Sequence, residues 1–194
     1  DGLPYLDEVE IFPIVDRTAR TNAIISGDID VMSNADPKTV SLLRRTPGVE
    51  VVSTKAGSHT LISCQTELSP SDNADLRLAL KYSMDREKTL RSVYKGLGQL
   101  GNDFNVHPQD PFYCKDLPQR NYDPDKARFH IKKAGLENTE IPMFTSETPG
   151  PGAIEVAELL QQTAKAAGIN IKVNRVPADT YWSNTWLKQP IVMS

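Results

Sequence analysis

The chain has 194 residues, 39% of them apolar, with 22 Lys and Arg against 25 Asp and Glu and a net charge of -3. That length holds one large domain or two small ones with a real core. The mild, evenly mixed acidity argues against the basic face of a nucleic-acid binder, and no apolar run approaches the roughly eighteen residues of a membrane helix.

In chain order, Val9, Ile11 and Ile14-Val15 read as a strand. Asp16 caps a helix through Ala19, Ala23 and Ile24, which Gly27 stops. Ile29 and Val31 alternate as a short strand. Asp36-Pro37 opens a second helix carrying Val40, Leu42 and Leu43, a capping carboxylate followed by a proline whose missing N–H costs nothing there. Val49, Val51 and Val52 read as a further strand, and Thr60 to Gln65 as another.

After the turn-rich Ser69-Pro70-Ser71-Asp72-Asn73, residues Leu76, Leu78, Ala79, Leu80 and Tyr82 build a helical face. A helix starts at Asp85 and stops at Gly96. Residues 97–121 show little periodicity, and a loop this long in a compact domain is usually functional or disordered. Asp123-Pro124 then opens a short helix with Ala127, Ile131 and Ala134 on one face and Gly135 beyond its end. His130 is placed on its solvated side. Ile141 to Thr145 is a strand, and the loop Thr148-Pro149-Gly150-Pro151-Gly152 leads into a helix through Leu160 that Gly168 ends. Ile169, Ile171 and Val173 alternate as a strand, Asp179 to Leu187 forms a short helix, and Pro190 to Ser194 looks like a strand just beginning. The recurring order of helix, glycine and strand argues for an α/β architecture with a parallel or mixed sheet.

Four stretches, taken together, resemble the extracellular solute-binding proteins of family 5, the peptide- and nickel-type binding components of ABC importers. They are Pro4-Tyr5-Leu6-Asp7-Glu8-Val9 with Ile25-Ser26-Gly27-Asp28-Ile29-Asp30-Val31; Asp75-Leu76-Arg77-Leu78-Ala79-Leu80-Lys81-Tyr82-Ser83-Met84-Asp85-Arg86; Tyr94-Lys95-Gly96-Leu97-Gly98; and Tyr122 to Leu136. Singly each is weak, but their order and spacing fit from end to end. The resemblance implies a type II periplasmic-binding-protein-like lobe, a mixed sheet flanked by helices, within a larger bilobal protein about twice as long or more. Residues 1–62 would belong to the lobe that carries the termini, and 63–194 to most of the second, mobile lobe. The chain starts without an initiator Met and stops where a strand begins, so it is expected to be a fragment, and one that self-associates through exposed apolar faces. The implied role is capture of an oligopeptide or another polar solute outside the cytoplasm for an ABC permease, without catalysis.

Three loops supply candidate ligand contacts. Asn102, Asp103 and Phe104 offer a carboxylate for a ligand ammonium and a ring for an apolar side chain, or an ordinary solvated loop with an anchoring Phe. Glu147 and Gly150 precede a helix N-terminus, whose free N–H groups favour an anion, or form an ordinary helix entry. Tyr181 and Trp182, with Trp186, would wall an apolar cleft or join the core. Dipeptide binders of the resembled family carry an arginine near the start of that helix. Here the residues are Gly152-Ala153-Ile154-Glu155, and a bidentate guanidinium has no substitute among them, which argues against dipeptide specificity.

An enzyme on this scaffold would draw on Cys64 or Asp103, and a docking or sensing protein would keep the fold without capture. His59 lies five residues before Cys64, which on a strand places the two on opposite faces. Gly96-Leu97-Gly98-Gln99-Leu100-Gly101 fits a dinucleotide fingerprint in letters only, because it follows a helix instead of opening one. No Cys-x-x-Cys or His-x-x-x-His spacing occurs, so no metal or cofactor is expected. Cys64 and Cys114 are compatible with one disulfide or with two buried thiols.

Overall fold

A computed structural model describes residues 2–54 and 57–194. It divides into two compact units, residues 1–52 and 53–194. In the first, α1 (Arg17–Ser26) starts at Asp16, whose Oδ1 accepts from Ala19 N at 2.7 Å, and ends on Gly27 at φ 79°. A short α2 (Val40–Leu43) follows, preceded by a turn in which Asp36 accepts from Lys38 N. Thr21, Val40 and Leu43 are buried, and Arg17 reaches Asp36 at 3.7 Å.

The strands expected at 9–15, 29–31 and 49–52 are not formed among the described residues, and Val9, Ile11, Phe12, Val15, Val31 and Val52 are exposed. The sequence pattern was sound as a record of apolar side chains. A strand also needs a neighbour for its N–H and C=O groups, and the described residues of this unit pair with none.

The second unit is built on one mixed sheet in the order β1-β4-β2-β3: β1 (Ile62–Cys64), β2 (Glu140–Thr145), β3 (Asn170–Arg175) and β4 (Ile191–Met193). β2 runs parallel to β3 and to β4, whereas β1 runs antiparallel to β4. β4 is buried along its whole length, as a central strand covered on both faces must be. In β2, Ile141, Met143 and Thr145 alternate inward.

Four helices accompany this sheet, α3 (Ala74–Ser83), α4 (Arg86–Ser92), α5 (Pro124–Lys133) and α6 (Ala153–Lys165); α6 packs on β2 and β3, and α3 and α5 pack on each other and on α6. α3 is capped by Asn73 and buries Leu76, Ala79, Leu80 and Ser83, a spacing of three and four residues that keeps one face inward. α5 begins as its sequence specifies: Asp123 accepts from Lys126 N at 2.9 Å, Pro124 is the first helical residue, and Gly135 takes φ 70° beyond the end. It lies antiparallel to α3, since Asp123 N donates to Tyr82 O and Asn73 Nδ2 donates to Ala134 O. α6 runs antiparallel to β3, with Gln161 Nε2 on Ile171 O at 2.7 Å and Glu158 on Arg175. Its apolar face, Val156, Ala157 and Leu160, joins Ile141, Met143, Ile171, Ile191 and Met193 in the core.

His130 is not solvated as expected. Its Nδ1 contacts Asp75 Oδ1 at 2.8 Å and its ring stacks on Tyr82 at 5.8 Å. The His130 contact and the Lys133 ammonium hold the Asp75 carboxyl below its ordinary value. A carboxyl depressed in the folded state contributes stability above its unfolded value, near 3.9, and loses it as pH falls through the folded value. The melting temperature of Asp75→Asn is therefore expected below that of the parent at neutral pH, with the gap closing as pH falls below about 4. Thermal denaturation across that range checks it, and a pH-independent gap would contradict the linkage.

Candidate ligand site at the sheet edge

The C-terminal ends of β2, β3 and β4 and the N-terminal end of β1 lie along one edge of the sheet. Open sheets with parallel strands bind ligands at that edge, because connecting loops gather there and helices start there. Leu61 and Ser194 exchange both backbone hydrogen bonds, and the Ser63 and Ser194 hydroxyls meet at 2.9 Å. Thr60 Oγ1 lies 2.7 Å from Tyr94 Oη, which ties the chain beyond α4 to this edge. Tyr94 and Val93 in turn pack on Gly152, where α6 begins. Gly152 has φ 88°, and a Cβ there would lie 2.9 Å from Val93 Cγ1 and 3.2 Å from the Tyr94 ring.

The loops after β2 and β3 are joined by Thr148 Oγ1, which donates to Ala178 O at 2.7 Å. Thr145 ends β2 on the same side as Ile141 and Met143, the side that α6 covers, and its hydroxyl is buried without a hydrogen-bond partner. Arg175, at the end of β3, is held in its charged form chiefly by Glu158, with Glu147 and Glu155 adding to the effect. The entrance to α6 is therefore rich in carboxylates, with one guanidinium among them.

The sequence candidates fall into two groups. Glu147 and Gly150 lie in the loop between β2 and α6, and Tyr181 and Trp182 in the segment between β3 and β4. Glu147 is exposed and Gly150 takes φ 137°. The helix expected from Asp179 to Leu187 is a π-helical turn, Tyr181–Thr185. Tyr181 is fully buried and its hydroxyl donates to Met193 O, so it supports β4 from within the core. Trp182 is 51% exposed and meets Tyr181 and Trp186 edge-on at 5.2 and 5.6 Å. Of the aromatic set, Trp182 presents the most open ring.

Burial pushes the Tyr181 phenol up to about 12. A value raised on folding contributes stability that is complete below the unfolded value, near 10, and is lost as pH rises through the folded one. In a spectrophotometric titration one of the six tyrosines is expected to ionise last, near pH 12, and Tyr181→Phe should remove that final step.

Asn102, Asp103 and Phe104 form the other group. Residues Arg86 to Tyr94 span roughly 12 Å at the helical rise, so this group sits at the far end of α4 from Tyr94. Both Asp103 oxygens are occupied, Oδ1 by Arg86 Nη2 and Oδ2 by Arg120 Nε. Asn102 accepts from Arg120 N and donates to Pro118 O, and Phe104 packs on Tyr113 at 5.3 Å. These side chains hold the 97–121 segment together.

The contacts of Thr60 with Tyr94, of Thr148 with Ala178 and of Ser63 with Ser194 carried no signal in the sequence. Each joins segments that are distant in the chain, which no local pattern encodes. Cys64 and Cys114 are both free thiols, and burial raises the pKa of Cys64. Among the described residues no group of three or more His, Cys, Asp or Glu is placed to hold a metal ion, and no helix is long and apolar enough to cross a membrane.

The family model for bacterial extracellular solute-binding proteins, family 5 (middle), matches residues 1–194. The chain belongs to this family. It is 27% identical over 176 residues to di/tripeptide-binding protein 1 of Pseudomonas aeruginosa, covering 86% of this chain and 33% of that protein. It is 28% identical over 181 residues to heme-binding protein A of Haemophilus influenzae, covering 90% and 32%. The chain thus spans about a third of the length of these relatives. The fold matches that of NikZ from Campylobacter jejuni, solved in complex with Ni(L-His), with a TM-score of 0.83 at 19% identity over 98% of this chain and 41% of that one. The shared fold is a mixed sheet flanked by helices.

Proposed function

We propose that the whole protein is the solute-capture component of an ABC importer, working in the periplasm or another extracytoplasmic space. It binds an oligopeptide or a related polar solute between two lobes, closes around it by hinge motion and delivers it to a membrane permease without chemical change. The observation that carries this reading is the family match along all 194 residues. Residues 1–62 are assigned to the lobe with the termini and 63–194 to most of the mobile lobe.

The solute-facing surface of this chain is assigned to the sheet edge. The first turn of α6 offers backbone N–H groups, Trp182 offers a ring face, and Glu147 and Gly150 line the entry loop. Asn102, Asp103 and Phe104 are assigned to holding the loop, since their polar groups are already engaged. Ala153 and Ile154 at the α6 start are buried and apolar, so no side chain there clamps a peptide carboxylate. Relatives named for di/tripeptides and for heme show that the family's fold does not fix the solute.

Calorimetry of the full-length protein against a peptide library tests the reading. Binding at a defined stoichiometry, with the peptide recovered unchanged by mass spectrometry, is expected. A folded full-length protein that binds no peptide would remove the peptide version, and a converted ligand would favour an enzyme.

A further inference from the structure

Residues 97–121 contain no helix or strand, yet they are tied at several points. Gln119 Nε2 donates to Gly101 O at 2.9 Å, Asn102 Nδ2 to Pro118 O at 3.0 Å, and Arg120 N to Asn102 Oδ1 at 3.2 Å. These contacts bring the two ends of the segment side by side. Asp103 then lies between two guanidiniums of different origin, Arg86 from the first turn of α4 and Arg120 from the end of the segment itself.

The arrangement is a built receptor. Arg86 Nη1 also donates to Arg120 O at 3.0 Å, and the Arg120 guanidinium stacks over the Tyr82 ring at 4.6 Å. Each cation is thus oriented by a second contact that does not involve Asp103. The side chains of Arg86, Asp103 and Arg120 are 17, 15 and 27% exposed, dry enough for charge-assisted bonds to matter and open enough for a small ion to enter. Two part-buried guanidiniums that face each other without an anion repel, and each leaves a desolvated charge unpaired.

We propose that Arg86 and Arg120 form a carboxylate-binding site that the chain fills with its own Asp103, locking the 97–121 segment onto the corner between α3 and α4. Any small monocarboxylate of the same charge and size occupies the site once the Asp103 side chain is removed. The inference rests on this cluster alone and is independent of the solute proposed for the sheet edge.

The test is hydrogen exchange over residues 97–121 in Asp103→Ala, with sodium acetate and with sodium chloride at a matched ionic strength of about 0.1 M. Exchange there should speed at least ~10-fold over the parent in chloride, while α6 is unaffected. Acetate should recover several-fold of that loss, and chloride should not. Parent-like exchange in the variant, or equal exchange in the two salts, overturns the proposal. Should Asp103→Ala not fold, Asp103→Ala with Arg86→Met decides. Recovery of folding by removing one of the two unpaired cations supports the site, and continued failure to fold overturns it.

Discussion

Replacing Gly152 with Ala is expected to cost about 2–4 kcal/mol in denaturant unfolding, far more than a glycine-to-alanine change at a tolerant site. Two terms add. The φ of 88° strains any L side chain, and the new Cβ would lie 2.9 Å from Val93 Cγ1, a distance real contacts do not show. The neighbours cannot yield freely, because Val93 is buried in the core and Tyr94 is held by Thr60. Gly168→Ala provides the control: its φ is 77°, but a Cβ there meets nothing within 4 Å, so only the backbone term of about 1 kcal/mol remains. Val93→Ala in the Gly152→Ala background should recover the steric part and leave the backbone part. A cost for Gly152→Ala no larger than that of the control would show that the Val93–Tyr94 wall gives way.

Leu160→Ala is the second large effect. Leu160 is fully buried in the face of α6 that covers β2, and removing its methyl groups loses both transfer energy and packing, for a cost of about 2–5 kcal/mol. At roughly 2–4 °C per kcal/mol in a unit of this size, a fall of about 10 °C in melting temperature follows. The core around it is bounded by β2, β3, α3 and α5, which limits collapse into the cavity and places the cost toward the upper part of the range. Calorimetry checks it. Gln162→Ala, on the exposed side of the same helix, should change stability little.

What could be read from the sequence follows from how local each signal is. Asp16, Asp85 and Asp123 announced their helices because a capping carboxylate acts on N–H groups three residues away. β2 and β3 were legible because the alternation of Ile141 with Met143, and of Ile169 with Ile171, is a property of one strand. Asn73 was read as part of a linker, although its side chain caps α3 by accepting from Asp75 N and Leu76 N. The first unit misled for the opposite reason. Val9, Ile11 and Val15 have the composition of a strand, but a strand is a relation between segments. The proposed ligand edge was half legible: the α6 entrance is marked by its prolines and glycines, whereas the approach of Thr60 to Tyr94 is a product of topology. Asp103 looked like an open acceptor because nothing near it in sequence shows that Arg86 and Arg120 arrive from both sides.

The sheet order has a consequence for the birth of the fold. β4 is the last of the four strands to leave the ribosome, yet it sits between β1 and β2. The β2–α6–β3 unit can begin to assemble as soon as Arg175 emerges, before β4 arrives to complete the pairing of β2. β1 cannot: its ladder partner arrives only at Ile191–Met193, and the Ser63–Ser194 contact spans 131 positions. Until then Ile62 and Cys64 have no ladder, so β1 is the strand of this sheet whose pairing waits longest during synthesis.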